Sequence, residues 1–237
     1  MKLSLAIPVF SACFGLANLA AAQEDDPEAA VAHRAPPAHR GFQMALRTGF
    51  AVPFGQVGKI NDSSPELSMS DYTTGQVPLL IELGGKPIKH LFVGGYLGIG
   101  FGGTAGDTND ACDENDVDCI SVSTRIGVEV QYHILPHHDI NPWVGYGIGI
   151  ETSSLAVTKG DEDGNISYGG FEFARLSAGA DFRISRIFGV GPFADFSIGQ
   201  YYSYRIDAPV FGDSDGDLED TAIHEWLTVG ARFVFFP

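Results

Sequence analysis

The residues of this chain that can do chemistry recur at intervals of two. Arg47, Glu82, Arg125, Glu129, Arg175, Asp181, Arg183, Asp195 and Arg232 each sit in a segment where alternate residues are apolar. The charged row around them is interspersed with Gly and Ser and contains no Lys. Guanidinium and carboxylate groups separated by small residues suit a narrow enclosure, where each charge must find an opposite partner. The expected arrangement is an interior network in which Arg47, Arg125, Arg175 and Arg232 pair with Glu82, Glu129, Asp181 and Asp195. Such a network would plug the enclosure. The alternative is that the same charges line a thin water-filled pore.

Other candidate sites are weaker. The run Asp213-Ser214-Asp215-Gly216-Asp217-Leu218-Glu219-Asp220 has the oxygen density that calcium favours, with Asp213, Asp215, Asp217 and Asp220 as ligands. Its glycine comes too early and its closing Glu is misplaced for an EF-hand, so a solvated acidic loop is the plainer reading. Asp161-Glu162-Asp163-Gly164-Asn165 is similar and weaker still. Adjacent His137 and His138, followed by Asp139, make a poor chelate because neighbouring side chains diverge. No other cofactor is expected. Cys112 and Cys119 form an even pair once an export segment is removed, and in an oxidising compartment they read as a disulfide stapling a short loop. Zinc is the competing reading, but no His lies near.

Catalysis finds no nominee. His224-Glu225 is the one His pairing near a strand end where a surface enzyme could work. The residues two beyond the seven His are Ala35, Gly41, Phe92, Leu135, Asp139, Ile140 and Trp226, so no His-x-Ser arrangement occurs. The expectation is that the protein is not an enzyme.

The elements that must position these groups follow from composition and pattern. The chain has 237 residues, 14 Lys+Arg against 30 Asp+Glu, and a formal charge of −16, which excludes a basic nucleic-acid-binding face. Its 30 Gly, 17 Phe and 8 Tyr favour β structure. Lys2, the apolar run from Leu3 to Phe14 and the small residues Ala20-Ala21-Ala22 read as an export signal over residues 1–22. Cys13 lacks the Leu three residues earlier that a lipidation site needs. Residues 23–40, with Pro27, Pro36 and Pro37, read as a flexible periplasmic leader, and 41–237 as the folded domain.

From Gly41 onward the dominant signal has period two, which sends alternate side chains to opposite faces of a strand. In 120–134, Ile120, Val122, Ile126, Val128, Val130, Tyr132 and Ile134 oppose Ser121, Ser123, Arg125, Gly127, Glu129, Gln131 and His133. The first strand begins at Phe42, and six further segments behave alike: 76–84, 91–101, 143–154, 171–184, 190–201 and 222–236. Soluble strands run to about 5–6 residues, whereas tilted membrane-spanning strands need about 9–11. Most of these reach the second length. The connections 55–75, 102–119, 155–170 and 202–221 are long and polar, and those between them are short. That alternation marks a membrane barrel with short periplasmic turns and long external loops. A soluble barrel would put its apolar row inside; here the charged row is the one that fits an interior, so the apolar row faces lipid. An even strand number places both chain ends on the periplasmic side.

Aromatic residues near the strand ends fit the two bilayer interfaces. Phe42, Phe92, Tyr132, Trp143, Phe182, Phe188, Phe193 and Phe235 are expected at the short-turn end. Phe50, Phe54, Phe101, Phe171, Tyr201, Tyr202 and Trp226 are expected at the long-loop end.

With Asn141-Pro142-Trp143-Val144-Gly145-Tyr146-Gly147-Ile148-Gly149 and the closing Phe233, Phe235 and Phe236, the chain resembles the small eight-stranded outer-membrane barrels: the OmpA transmembrane domain, OmpX and OmpW-like proteins. The resemblance covers roughly residues 41–236. Pro237 departs from the terminal aromatic that the barrel-insertion machinery reads in that family. The resemblance implies an all-β, eight-stranded antiparallel up-and-down transmembrane barrel in the outer membrane. Its implied partners are outer-membrane lipid, surface glycolipid and the insertion machinery. The expected role is structural or surface-interacting, with a narrow channel for small or apolar solutes as the alternative and a lipid-modifying enzyme behind both. No external partner can be named from the sequence.

Overall fold

A computed structural model describes residues 40–60, 67–114, 117–159, 162–207 and 214–236. The expected export signal (1–22), and the leader except Arg40, lie outside these residues, as does Cys13. Eight long strands carry the fold: β1 (Gly41–Lys59), β2 (Gly75–Ile88), β3 (Leu91–Gly103), β4 (Asp118–His133), β5 (Ile140–Lys159), β6 (Glu162–Arg183), β7 (Phe188–Asp207) and β8 (Ile223–Phe235). Each pairs antiparallel with its neighbour in sequence. β1 pairs with β2 on one side, from Gly41↔Lys86 to Ala51↔Gln76, and with β8 on the other, from Met44↔Phe235 to Gly55↔His224. The ladder therefore returns to its first strand, and the structure is an eight-stranded antiparallel up-and-down transmembrane barrel.

The faces are inverted relative to a soluble protein. Val128 is 60% exposed, and Leu97, Ile126, Val229 and Leu176 are all more than half exposed. Arg47, Glu82, Gln131 and Arg232 are at 0–1%. Apolar side chains gain about 1.5–3 kcal/mol each on leaving water, and here the only apolar medium that can receive them is lipid. The outward row is the membrane surface of the barrel.

Two departures from the alternation pattern appear. The connection 155–170 is not a long loop: β5 and β6 stay paired as far as Lys159↔Glu162, beyond the apolar belt, and β1 and β7 likewise run into the expected connections 55–75 and 202–221 as far as Lys59 and Asp207. Phe92, Trp143, Phe193, Tyr201 and Trp226, expected at the bilayer interfaces, are all buried inside. Their positions share the inward parity of the charged row, and the interior arginines need ring faces to pack on. Phe42, Phe50, Phe54, Phe101, Tyr132 and Tyr202 do lie exposed on the outer surface.

External segments fold over the top of the lumen. The short helix α1 (Met69–Tyr72) is capped by Ser68, whose hydroxyl accepts from the Asp71 N–H. Thr73 then donates to the Gly103 carbonyl at 2.9 Å, tying this loop to β3. Helix α2 (Gly106–Glu114) leads to Val117, and a disulfide joins its Cys112 to Cys119 on β4, as the spacing predicts.

The seam between β1 and β8 is tight. Gly49 faces Gly230, and a Cβ on either would fall on the carbonyl oxygen of the opposite strand, Val229 or Thr48. Gly230→Val should therefore prevent closure. Wild-type protein refolded in lipid is expected to migrate anomalously on unheated gels and shift on boiling. The variant is expected to run at its unfolded position whether heated or not, and a normal heat shift in the variant would refute the tight seam.

Candidate functional site: an interior charge network

Two arginines span the middle of the lumen. Arg47, on β1, donates through Nη1 to both oxygens of Asp195 at 2.8 and 3.1 Å and to Ser177 at 3.3 Å. Its Nη2 pairs with Glu82 and lies 3.6 Å from Glu129. Arg232, on β8, donates through Nη1 to Asp181 at 2.8 and 2.7 Å and through Nε and Nη2 to Glu82 at 3.1 and 3.0 Å. Gln131 links the carboxylates by donating to Glu82 at 3.0 Å and Glu129 at 3.1 Å, and it accepts from Arg232 at 3.0 Å. Both guanidinium groups pack over the Trp143 ring, 4.8 Å from its centre for Arg47 and 4.6 Å for Arg232, and Trp143 donates to Asp181. Planar cations on an aromatic face in a dry site are strongly held.

Nearer the external end are two further pairs. Arg175 meets Glu172 at 3.3 Å and lies over the Tyr96 ring, whose hydroxyl donates to the same carboxylate. Arg125 meets Glu151 at 3.2 Å and lies over Trp226. Glu151 also pairs with His224, which stacks on Tyr201 at 4.0 Å. Above them Val57, Met69, Leu155, Tyr168, Tyr201 and Leu218 form a small apolar core continuous with Trp226. The lumen is thus crossed by ion pairs and roofed by apolar side chains.

The expected eight charged residues do line one interior, and Arg47 and Arg232 pair within the expected set of carboxylates, whereas Arg125 and Arg175 do not. Arg125 and Arg175 take Glu151 and Glu172, neither of which was a candidate. Glu151 has the inward parity of Trp143 and Gly145, so alternation could have found it. Glu172 could not be found that way: it has the parity of the outward row, and a bulge between Glu172 and Ala174 turns it in. Lys86 is a second correction. It was expected in a short turn, but β2 continues through it, and it is buried with its ammonium 5.4 Å from the Phe236 ring. Arg183 lies against the same ring and donates to the Pro136 carbonyl at 2.9 Å. With Lys86 and Arg183, the four network arginines match the six interior carboxylates Glu82, Glu129, Glu151, Glu172, Asp181 and Asp195.

The calcium candidates are not drawn together. Asp213 lies outside the described residues. Asp215 and Asp217 sit on a short strand, Ser214–Asp217, paired with β7, whereas Asp220 pairs with β1 and lies 3.7 Å from Lys59. Among the described residues no group of three His, Cys, Asp or Glu is placed to hold a metal. His137, His138 and Asp139 are all exposed in their turn.

A ring of antiparallel strands with a lipid-facing apolar row and a paired, charged interior defines the class: a small outer-membrane β-barrel. No family model matches the sequence, and no curated protein matches it. Solved structures of similar fold include a major outer membrane protein from Thermus thermophilus, 13% identical with a TM-score of 0.49, over 82% of this chain and 99% of that one. OprG from Pseudomonas aeruginosa is 10% identical with a TM-score of 0.47, over 84% and 99%. The attachment invasion locus protein Ail of Yersinia pestis is 10% identical with a TM-score of 0.43, over 83% and 99%.

Removing one partner from a buried ion network costs about 3–5 kcal/mol, because the remaining charge is stranded. Arg232→Ala strands Asp181 and is expected to lower stability in lipid vesicles by that amount, read from urea unfolding. Arg232→Met combined with Asp181→Leu removes both charges and should recover much of the loss. Equal destabilisation by the single and the double variant would show that the pair is not coupled.

Proposed function

We propose that this is a structural or surface-interaction protein of the outer membrane, exported by residues 1–22, inserted by the barrel-insertion machinery, and carrying a plugged lumen. The observation behind this reading is the double closure of the interior: the Arg47–Arg232 network across the middle and the apolar roof above it. What the protein offers its surroundings is then its outer surface, an apolar belt below and acidic external segments above. No catalysis is assigned to the His224–Glu151 pair, which lies beneath the roof and is held by Tyr201 and Arg125.

A second reading, a narrow conduit for small or apolar solutes, draws on one break in the wall. The β1–β2 ladder pairs Thr48↔Leu79 and resumes at Ala51↔Gln76, skipping Pro78, which has no N–H to donate. Inside this break lies a cavity of about 30 Å³ edged by Arg47, Pro78, Leu80, Gly98, Arg125 and Arg175, room for one or two waters.

Planar-bilayer recording separates the two readings. The chain from Gln23 onward is expected to give no steady single-channel steps. Steady steps in the wild type would overturn the plug and favour the conduit.

A further inference from the structure

The outer face of the barrel changes character abruptly above the lipid belt. On β5, β6 and β7 the last apolar row runs through Ile150 and Phe171, which pair directly, with exposed Tyr202 beside it. Two residues further out, roughly 7 Å along the strands, Thr152 pairs with Gly169, Gly169 with Ser203, and Ser203 with Asp217. The next row up holds Ser154, Ser167, Arg205 and Asp215 in the same way. These four strands border an open, polar groove of about 530 Å³. Its polar groups are hydroxyls, an amide and carboxylates. Asn165 donates to the Ser167 hydroxyl at 2.8 Å while its own Oδ1 has no partner. Its flanking charges are Asp207, Asp215 and Asp217 against Arg205.

We propose that this groove binds the uncharged saccharide headgroup of a glycolipid standing in the external leaflet beside the barrel. The proposal rests on the membrane orientation read above and adds to it a place and a chemistry. Position argues for a lipid-borne sugar. The groove's lowest row, Thr152, Gly169, Ser203 and Asp217, lies on the strands one step above Ile150 and Phe171, where the lipid-facing apolar row ends and headgroups begin. Chemistry argues for a polyol: alternating donor and acceptor groups on a rigid sheet match sugar hydroxyls, and a carboxylate accepts hydrogen bonds from two hydroxyls at once. Charge argues against an anion. Three carboxylates facing one arginine repel a phosphate headgroup, and among the described residues there is no triad to hold a bridging metal. A Cβ at Gly169 would fall 2.8 Å from the Ser203 hydroxyl oxygen, so a side chain there would crowd the groove.

The test uses the chain from Gln23 refolded into phosphatidylcholine vesicles containing either digalactosyl diacylglycerol or phosphorylated lipid A with magnesium, followed by native mass spectrometry of the lipids retained. Wild type is expected to retain the digalactosyl lipid several-fold above its bulk proportion. Ser203→Trp fills the groove from an outward strand position where an aromatic is well tolerated, and it is expected to abolish the enrichment with the heat shift on gels intact. Asp217→Asn is expected to weaken it. Retention of the digalactosyl lipid at bulk proportion by a normally inserted barrel would overturn the saccharide site alone. Enrichment of lipid A instead would overturn it in favour of a cation-bridged phosphate. A chain that does not insert would overturn the membrane reading beneath it.

Discussion

A peptide backbone has nothing in hydrocarbon to bond to except itself. Each unpaired N–H or C=O there costs several kcal/mol, and a sheet meets that condition only by closing. The pairing of β1 with both β2 and β8 is therefore the contact on which the rest depends. Once the ring is closed, side-chain alternation has only two destinations, lipid or lumen. Apolar rows such as Leu97, Val128 and Val229 take the first, and the charged row takes the second. Glycines at the seam, Gly49 against Gly230, let the first and last strands approach closely enough to pair.

The lumen then poses the opposite problem. Taking an arginine out of water costs several kcal/mol unless carboxylates and ring faces replace its hydration. The interior meets this by sharing: Glu82 serves both Arg47 and Arg232, both guanidinium groups pack over the Trp143 ring, and Gln131 ties Glu82 to Glu129. Shared partners make the groups interdependent, so the plug behaves as one unit rather than as separate salt bridges. The same sharing fixes strand register, because a slip of one residue would turn every charge into lipid.

Alternation made the strands, their count and the lumen-facing Arg47, Arg125, Arg175 and Arg232 legible, because period two is a local property of the chain. Which carboxylate meets which arginine was not legible, because pairing across the lumen depends on register between strands far apart in sequence. Arg47 reaches Asp195 across 148 positions. Glu172 was hidden by a bulge, which shifts the period within a single strand. Lys86 was hidden by the Gly and Pro around it, which read as a turn although the strand runs through. Trp143 and Trp226 were placed by residue type at the interfaces, when their parity already put them inside. The groove outside β5, β6 and β7 lay in a stretch whose polarity read as loop. In fact it is sheet that has risen above the lipid, where an outward polar residue is no longer penalised.

Which face meets hydrocarbon is decided most directly by spin labels on one strand of the refolded chain in lipid vesicles. One label replaces outward Val128 and another replaces inward Ser121, with oxygen and a water-soluble nickel chelate as the two relaxing agents. The label at 128 should relax with oxygen and ignore nickel, and the label at 121 should be shielded from lipid-dissolved oxygen. A label at 128 that relaxes with nickel, on protein that stays monomeric without detergent, would place the apolar row inside and contradict the account at its base.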